Sequence, residues 1–262
     1  MGEPRVTIVC CYNDLTQYQA FENSLKGQNT EYTLLGIDNR GQKFSSCAAA
    51  LNSAAGQIET EYVIYAHQDI ALPKPDMLAR FAAYLGLLGP EDILGVAGAV
   101  WDGSGSAREQ TCVLSKVRHG KALAEAGERD YSGTAECETV DECFFGGHAE
   151  FFRAHPFDEA LCDDWHLYAV ERCLFTRMRG NRVYVCDIPL VHFSGGAIGH
   201  AYNRGFYRLA RRYAGYARRG GAGRKITWLR TVCGSSRTDW FHRTCFYWKR
   251  EILIRMGRYQ NG

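Results

Sequence analysis

Through its first hundred residues the chain alternates short β-rich apolar runs with stretches whose apolar positions recur at helical spacing. Arg5 to Cys11 predicts a buried strand. Leu15, Tyr18, Phe21 or Glu22, and Leu25 predict a helix over Leu15 to Lys26, with Asn13 or Asp14 as its N-cap. Tyr32 to Ile37 reads as a second strand, Ser45 to Gly56 as an Ala-rich helix, and Glu61 to Ala66 as a third strand that stops at His67-Gln68-Asp69. A helix opened by Pro follows over Pro75 to Leu88, and Asp92 to Val100 reads as one further buried strand. This βαβ spacing predicts an α/β fold with a mostly parallel central sheet flanked by helices.

Between Asp102 and Gly133 the pattern weakens into Gly, Ser and charged residues, a stretch too long for an ordinary connection and therefore expected to be functional or mobile. Pattern returns with a strand over Thr139 to Phe145, a helix over about Trp165 to Arg179 ended by Gly180, and strands over Arg182 to Cys186 and Ile188 to Phe193. The last runs into Ser194-Gly195-Gly196. Beyond it, Tyr202 to Arg219 reads as an amphipathic helix, and the remainder is aromatic and basic.

Composition is that of a globular protein: 262 residues, 46% hydrophobic and 23% charged, which excludes disordered and collagen-like chains. No apolar run approaches the ~20 residues needed to cross a bilayer, and no charged-then-apolar leader follows Met1. A cytoplasmic chain is expected. The 11 Cys lack C-x-x-C spacing and are expected to be mostly reduced and buried. Net charge is only +2, but residues 197–262 hold 15 Lys and Arg against 2 Asp and Glu, so the tail is strongly basic and the body acidic. That asymmetry suggests a domain over 1–196 and a basic, helical extension over 197–262, whose counterpart is an acidic membrane surface, another anionic partner or the acidic body itself.

In open α/β sheets ligands collect beyond the carboxyl ends of the strands. Three predicted strand ends carry a coherent polar set: Tyr12-Asn13, Asp38-Asn39 and His67-Gln68-Asp69. Each alone reads as a turn former. Their joint occurrence at successive strand ends marks a candidate ligand site.

The runs VTIVCCYND, GIDNRG, SSCAAALNSAAGQIETEYVIYAHQDI and FDEALCDDWHLYAVERCLFTRMRGNRVYVCDIPLVHFSGG resemble, in this order, the core of family 2-like glycosyltransferases of the GT-A type, over roughly residues 5–196. The resemblance implies a nucleotide-sugar donor, UDP expected, and a divalent cation, Mn2+ or Mg2+, near a D-x-D element. The matching triplet here is His67-Gln68-Asp69, with His in place of the first Asp. Asp69 is carried over as a metal ligand, His67 as a neighbouring diphosphate or metal contact, and His192 as the second protein ligand. Asp38 is similar to the Asp that accepts the uracil imide proton, with Tyr12 against the base, Asn13 and Asn39 beside it and Asn52 near the ribose or phosphate. The Gly195-Gly196 pair would form a segment that closes near the diphosphate.

The family's general base departs from its pattern, because the usual acidic position falls on Ala169. Asp164, Asp163, His166 and Glu171 are the candidates, with Asp164 preferred beside Trp165 as an acceptor floor. Asp141 and Glu142 open the VDECFFGG segment and are placed to meet an acceptor. The function implied is transfer of a sugar to a glycan or lipid-linked saccharide, by an enzyme that can lie on the cytoplasmic face of a membrane. A non-catalytic binding protein of the same fold, and a nucleic-acid binder acting through the tail, are the other readings. The acidic body disfavours nucleic acid.

Overall fold

The computed structural model describes residues 6–101, 111–120, 122–194, 198–215 and 226–257. In chain order the elements are β1 (Val6–Tyr12), α1 (Leu15–Leu25), β2 (Tyr32–Asp38), α2 (Cys47–Ser53), β3 (Tyr62–Ala66), β4 (Ile70–Ala71), α3 (Met77–Leu85), β5 (Ile93–Gly95), β6 (Ala97–Trp101), β7 (Thr111–Ser115), β8 (Arg118–His119) and β9 (Ala124–Glu125). There follow β10 (Thr134–Cys137), β11 (Thr139–Val140), β12 (Phe144–His148), α4 (Ala149–Ala154), α5 (Tyr168–Met178), β13 (Val183–Cys186), β14 (Val191–His192), α6 (His200–Arg212), β15 (Trp228–Thr231), β16 (Gly234–Arg237) and α7 (Trp240–Arg255).

Seven strands form the central sheet in the order β10-β13-β5-β12-β3-β1-β2. Five run the same way, while β10 and β12 are antiparallel to their neighbours, so the sheet is mostly but not wholly parallel. Period-two alternation divides its side chains between two cores. Val6, Ile8 and Cys10 of β1 join Phe21 and Leu25 of α1 and Phe81 of α3 on one face. Val9 joins Ala48 and Leu51 of α2, Phe152 of α4 and Tyr168 of α5 on the other. Fully buried residues such as Phe21 and Leu25 each stabilise the fold by about 2 kcal/mol. Asp14 caps α1, its carboxylate accepting from the Thr16 and Gln17 amides.

Several expectations are corrected. The single strand expected over Asp92 to Val100 is two, β5 in the central sheet and β6 in a three-stranded sheet with β7 and β11. The strand expected over Thr139 to Phe145 divides in the same way, into β11 and β12. Close packing accompanies the break: a Cβ on Gly95 would lie 2.5 Å from that of Val140. The helix expected from Trp165 starts instead at Tyr168, because Leu167 adopts a left-handed backbone conformation with φ of 73°. The weakly patterned stretch after Asp102 contains β7, β8 and β9. The expected Gly195-Gly196 closing segment, the 196/197 boundary and residues 216–219 of the expected tail helix lie outside the described residues.

The basic extension packs onto the body. Tyr202, Phe206 and Leu209 of α6 share a third core with Leu167, Val170 and Leu174. Arg230 pairs with Glu138 at 2.6 Å, Arg208 with Asp163 at 2.6 Å, and the Thr139 hydroxyl donates to the Arg230 carbonyl. Part of the tail's positive charge is thus answered by the acidic body. The eleven cysteines, all among the described residues, form no disulfide with one another, and eight of them are buried.

Candidate active site

Parallel pairing brings the polar strand ends together. Tyr12 stands in register with Asp38, and β3 lies on the other side of β1. Gln68 ties two of these ends: its carbonyl accepts from the Asn13 and Asp14 amides, and its amide donates to the Asn13 side chain at 2.8 Å. Tyr12 stacks on Tyr18 with centroids 4.1 Å apart. Asp38 is gripped by the Arg40 guanidinium, whose hydrogen bonds hold the Asp38 carboxyl down at about 2. A planar cation and an anion therefore sit beside an aromatic stack at the open edge of the sheet.

A second cluster forms where β3 ends. The short β4 pairs with β14, Ile70 opposite His192, and the Phe193 amide donates to the Asp69 carbonyl at 2.9 Å. This pairing carries His192 across more than a hundred residues of sequence to Asp69. The His192 Nε2 atom lies 3.4 Å from the Asp69 carboxylate, and His67 Nδ1 lies 3.9 Å from the same oxygen. One potential donor atom from each of the three residues falls within 4.8 Å of the others. His192 Nε2 is buried and has no hydrogen-bond partner, whereas His67 Nε2 meets the Tyr168 hydroxyl at 3.1 Å. That Tyr168 contact leaves His67 Nδ1 toward Asp69.

The charges of this cluster are coupled. Burial opposes protonation of His192, but the Asp69 carboxylate, aided by Asp141 and Glu142, outweighs it and raises the imidazole above its usual value. Burial and the neighbouring His192 lower His67. Burial pushes Asp69 up, yet its contact with His192 keeps it ionised at lower pH than an ordinary aspartate. Two imidazoles and a carboxylate, one ring nitrogen buried beside that carboxylate with no hydrogen bond of its own, make a donor set that fits a divalent ion.

His67 and His192 line a cavity of about 570 Å³ that also receives Asp141, Glu142 and His166. The Asp141 carboxylate accepts from the Cys143 amide at 2.9 Å. Glu142 is buried, accepts from the amide of the left-handed Leu167, and stands 3.8 Å from His166 Nδ1. The nearby Glu142 carboxylate raises His166 above its usual value against the opposing effect of burial. The His166 ring lies edge-on to Tyr202, 5.8 Å away.

Other expected site residues stand apart from this cavity. Asp163 faces Arg208 at the surface, and neither it nor Asp164 caps a helix with its side chain. Asp164 holds the start of α2 through its carbonyl, which accepts from the Cys47 amide. Trp165 is partly exposed, outside the cavity wall. Glu171 is buried under Tyr213, whose hydroxyl donates to it at 2.5 Å. The Asn39 side chain bridges the amide and carbonyl of Phe44, and Asn52 bridges those of Phe157 and also reaches Glu159. Both amides serve the local fold. Residues not anticipated from sequence are Arg40 against Asp38, Tyr168 against His67, and Tyr202, Val232 and Cys233, through which the extension walls the cavity. Only Arg40 left a local signal, an Arg two positions after the strand-end Asp.

Among solved structures the chain is similar to GalNAc-T7 with UDP, GalNAc and Mn2+, at 12% identity and a TM-score of 0.53 over 80% of this chain and 50% of that one. It is also similar to S. aureus TarS 1-349 in complex with UDP-GlcNAc, at 13% identity and a TM-score of 0.52 over 80% of this chain and 66% of that one. These likenesses show a GT-A type fold, in a chain that spans half to two thirds of their length. No curated protein matches significantly. The profile described as "Glycosyltransferase like family" matches residues 7–197, most of the chain and every strand end described above, and the protein belongs to that family.

Proposed function

We propose that the chain transfers a hexose or N-acetylhexosamine from a nucleotide-diphosphate donor, UDP the expected nucleotide, to a hydroxyl of a glycan or lipid-linked saccharide. The observation that carries this reading is the grouping of Asp69 with His67 and His192, two histidines that line a cavity also holding Asp141, Glu142 and His166. Asp69 and His192, with His67 beside them, would hold a divalent cation. Two imidazoles among three donors favour Mn2+ over Mg2+, whose ligands are chiefly oxygens. When bound, that ion supplies Lewis-acid neutralisation of the departing diphosphate.

The remaining roles belong to side chains. Tyr12 offers a face for the base, and Asp38 with Arg40 offers an acceptor and a donor at its polar edge. Of the four base candidates, His166 alone lines the cavity. Glu142 orients it and supports its charge as it takes the acceptor hydroxyl proton. The acceptor oxygen then bonds to the anomeric carbon as the bond to the diphosphate oxygen breaks, a single displacement that inverts configuration. Asp141, on the same wall, is positioned for a second acceptor hydroxyl.

The test is release of nucleoside diphosphate from a panel of UDP-hexoses and UDP-N-acetylhexosamines, with Mn2+ and with chelator. Release that needs the ion and disappears in Asp69→Asn is expected. Tight donor binding with no release at any ion concentration, alone or with saccharide acceptors, would identify a binding protein instead.

A further inference from the structure

Helix α7 has two apolar faces, and helix α6 accounts for one. Phe246 meets Phe206 with centroids 5.2 Å apart, Tyr247 meets Tyr207 at 5.3 Å, and Arg250 lies over the rings of Tyr202, Phe206 and Phe246. Glu251 accepts from Asn203 and faces His200 at 2.7 Å. These contacts fix the inward side of the helix.

The opposite side carries a second stripe. Phe241, Trp248 and Ile252, with Met256 at the C-cap, are 61, 54, 56 and 53% exposed, and the exposed Cys245 falls between the first two. Their spacing of four, three, four and four residues keeps them on one side of the helix. On a helix bathed only in water this side is ordinarily polar. Lys249 and Arg255, both exposed, border the stripe on its two sides. The acidic residues of this region are turned elsewhere: Glu251 is buried toward α6, and Asp239 caps the helix and meets His242 and Arg237.

We propose that this face of α7 docks on an anionic lipid surface. Its 16 residues are too few to span a bilayer, and no described helix is long and apolar enough to cross one. They suit a helix lying in the headgroup plane, Trp and Phe inserted and Lys and Arg at phosphate level. Charge decides against a second copy as occupant, because two such stripes would bring together cations with no free carboxylate on either face. The placement also has a consequence for chemistry. Phe246 reaches the turn at Gly234, 3.8 Å from where a Cβ would stand, and neighbouring Val232 and Cys233 line the cavity. A lipid-linked acceptor held at that surface would be kept near the cavity, a consequence that rests on the transferase reading above.

The test is co-sedimentation of the full chain with vesicles of phosphatidylcholine alone or with about 30 mol% phosphatidylglycerol, at low and high salt. Binding to the anionic vesicles is expected, weakened at high salt, and reduced about ten-fold or more by Trp248→Ser with Ile252→Ser and by Lys249→Glu with Arg255→Glu. Circular dichroism and donor turnover in solution should be unchanged in both variants. Equal affinity for the two vesicle types, no binding, or binding indifferent to both variants would overturn the proposal. So would a dimer in light scattering that the Trp248/Ile252 variant abolishes, since it would assign the face to a second copy. A chain that binds vesicles but releases no nucleotide would overturn the enzyme reading alone.

Discussion

Glu142 does two jobs for which a buried carboxylate is otherwise expensive: it satisfies the amide of Leu167, a residue in an unfavourable left-handed conformation, and it faces His166. Because Glu142 raises His166, the imidazole is protonated over a wider range than a free histidine, and a base must be unprotonated to act. The acid limb of kcat/KM is accordingly expected above 6.5, with activity rising through it. Glu142→Gln should move that limb toward lower pH and reduce kcat by about 10²-fold. An unmoved limb would remove His166 from the role. His166→Ala should reduce kcat by a similar factor and leave donor affinity within about two-fold. At the buried edge of the extension, Tyr213→Phe deprives Glu171 of its hydroxyl donor and is expected to cost about 1–3 kcal/mol in denaturant unfolding. The strand-end residues were readable because parallel strands end in polar turns at one edge of a sheet. The His166–Glu142 pair was not, since it depends on a backbone kink at Leu167 for which no glycine or proline gives notice.

Elements are fastened to one another by a few charged ties. Glu91, just before β5, accepts from Arg179 at the end of α5 and from Asn181. Those hydrogen bonds hold its carboxyl below the ordinary 4.5 in the folded protein, against a smaller effect of burial. The tie therefore stabilises fully above that ordinary value and is lost as pH falls through the folded one. Stability should begin to drop as pH falls to about the ordinary 4.5 and go on dropping below it, and Glu91→Gln should flatten that part of the profile while costing about 1 kcal/mol at neutral pH. Chemical denaturation across this range checks it, and a variant with the parent's acid slope would contradict it. Helices α1, α2 and α3 and the central strands β1, β2, β3 and β13 were legible from periodicity, α1 to within a residue, whereas α4 and β10 drew no expectation. The divisions at Gly95 and in the 139–148 stretch were not, because a continuous apolar run carries no mark of where a chain changes sheets.

At the scale of the whole molecule, the extension is a wall of the cavity and a partner in a core. Phe206 and Leu209 are buried against α5, so removal of residues 197–262 exposes Leu167, Val170 and Leu174. The truncated chain is expected to lose cooperative unfolding or aggregate. A truncated chain with the parent's unfolding transition would show instead that the extension is dispensable to the fold. Charge counting correctly anticipated an anionic counterpart to the tail, and Glu138 and Asp163 supply part of it. It could not show Tyr202 and Cys233 at the cavity, because such contacts join residues tens of positions apart in sequence, Tyr202 to His166 being one.

In the proposed reaction catalysis depends on a divalent ion that Asp69 and His192 would hold. Titration of Mn2+ into the full chain in the presence of UDP, followed by the electron paramagnetic resonance of free Mn2+, measures this directly. One ion per chain is predicted, with affinity at least about 100-fold weaker in Asp69→Asn and in His192→Ala, both still folded. Binding at parental affinity in both variants, or none in the parent, would contradict the account.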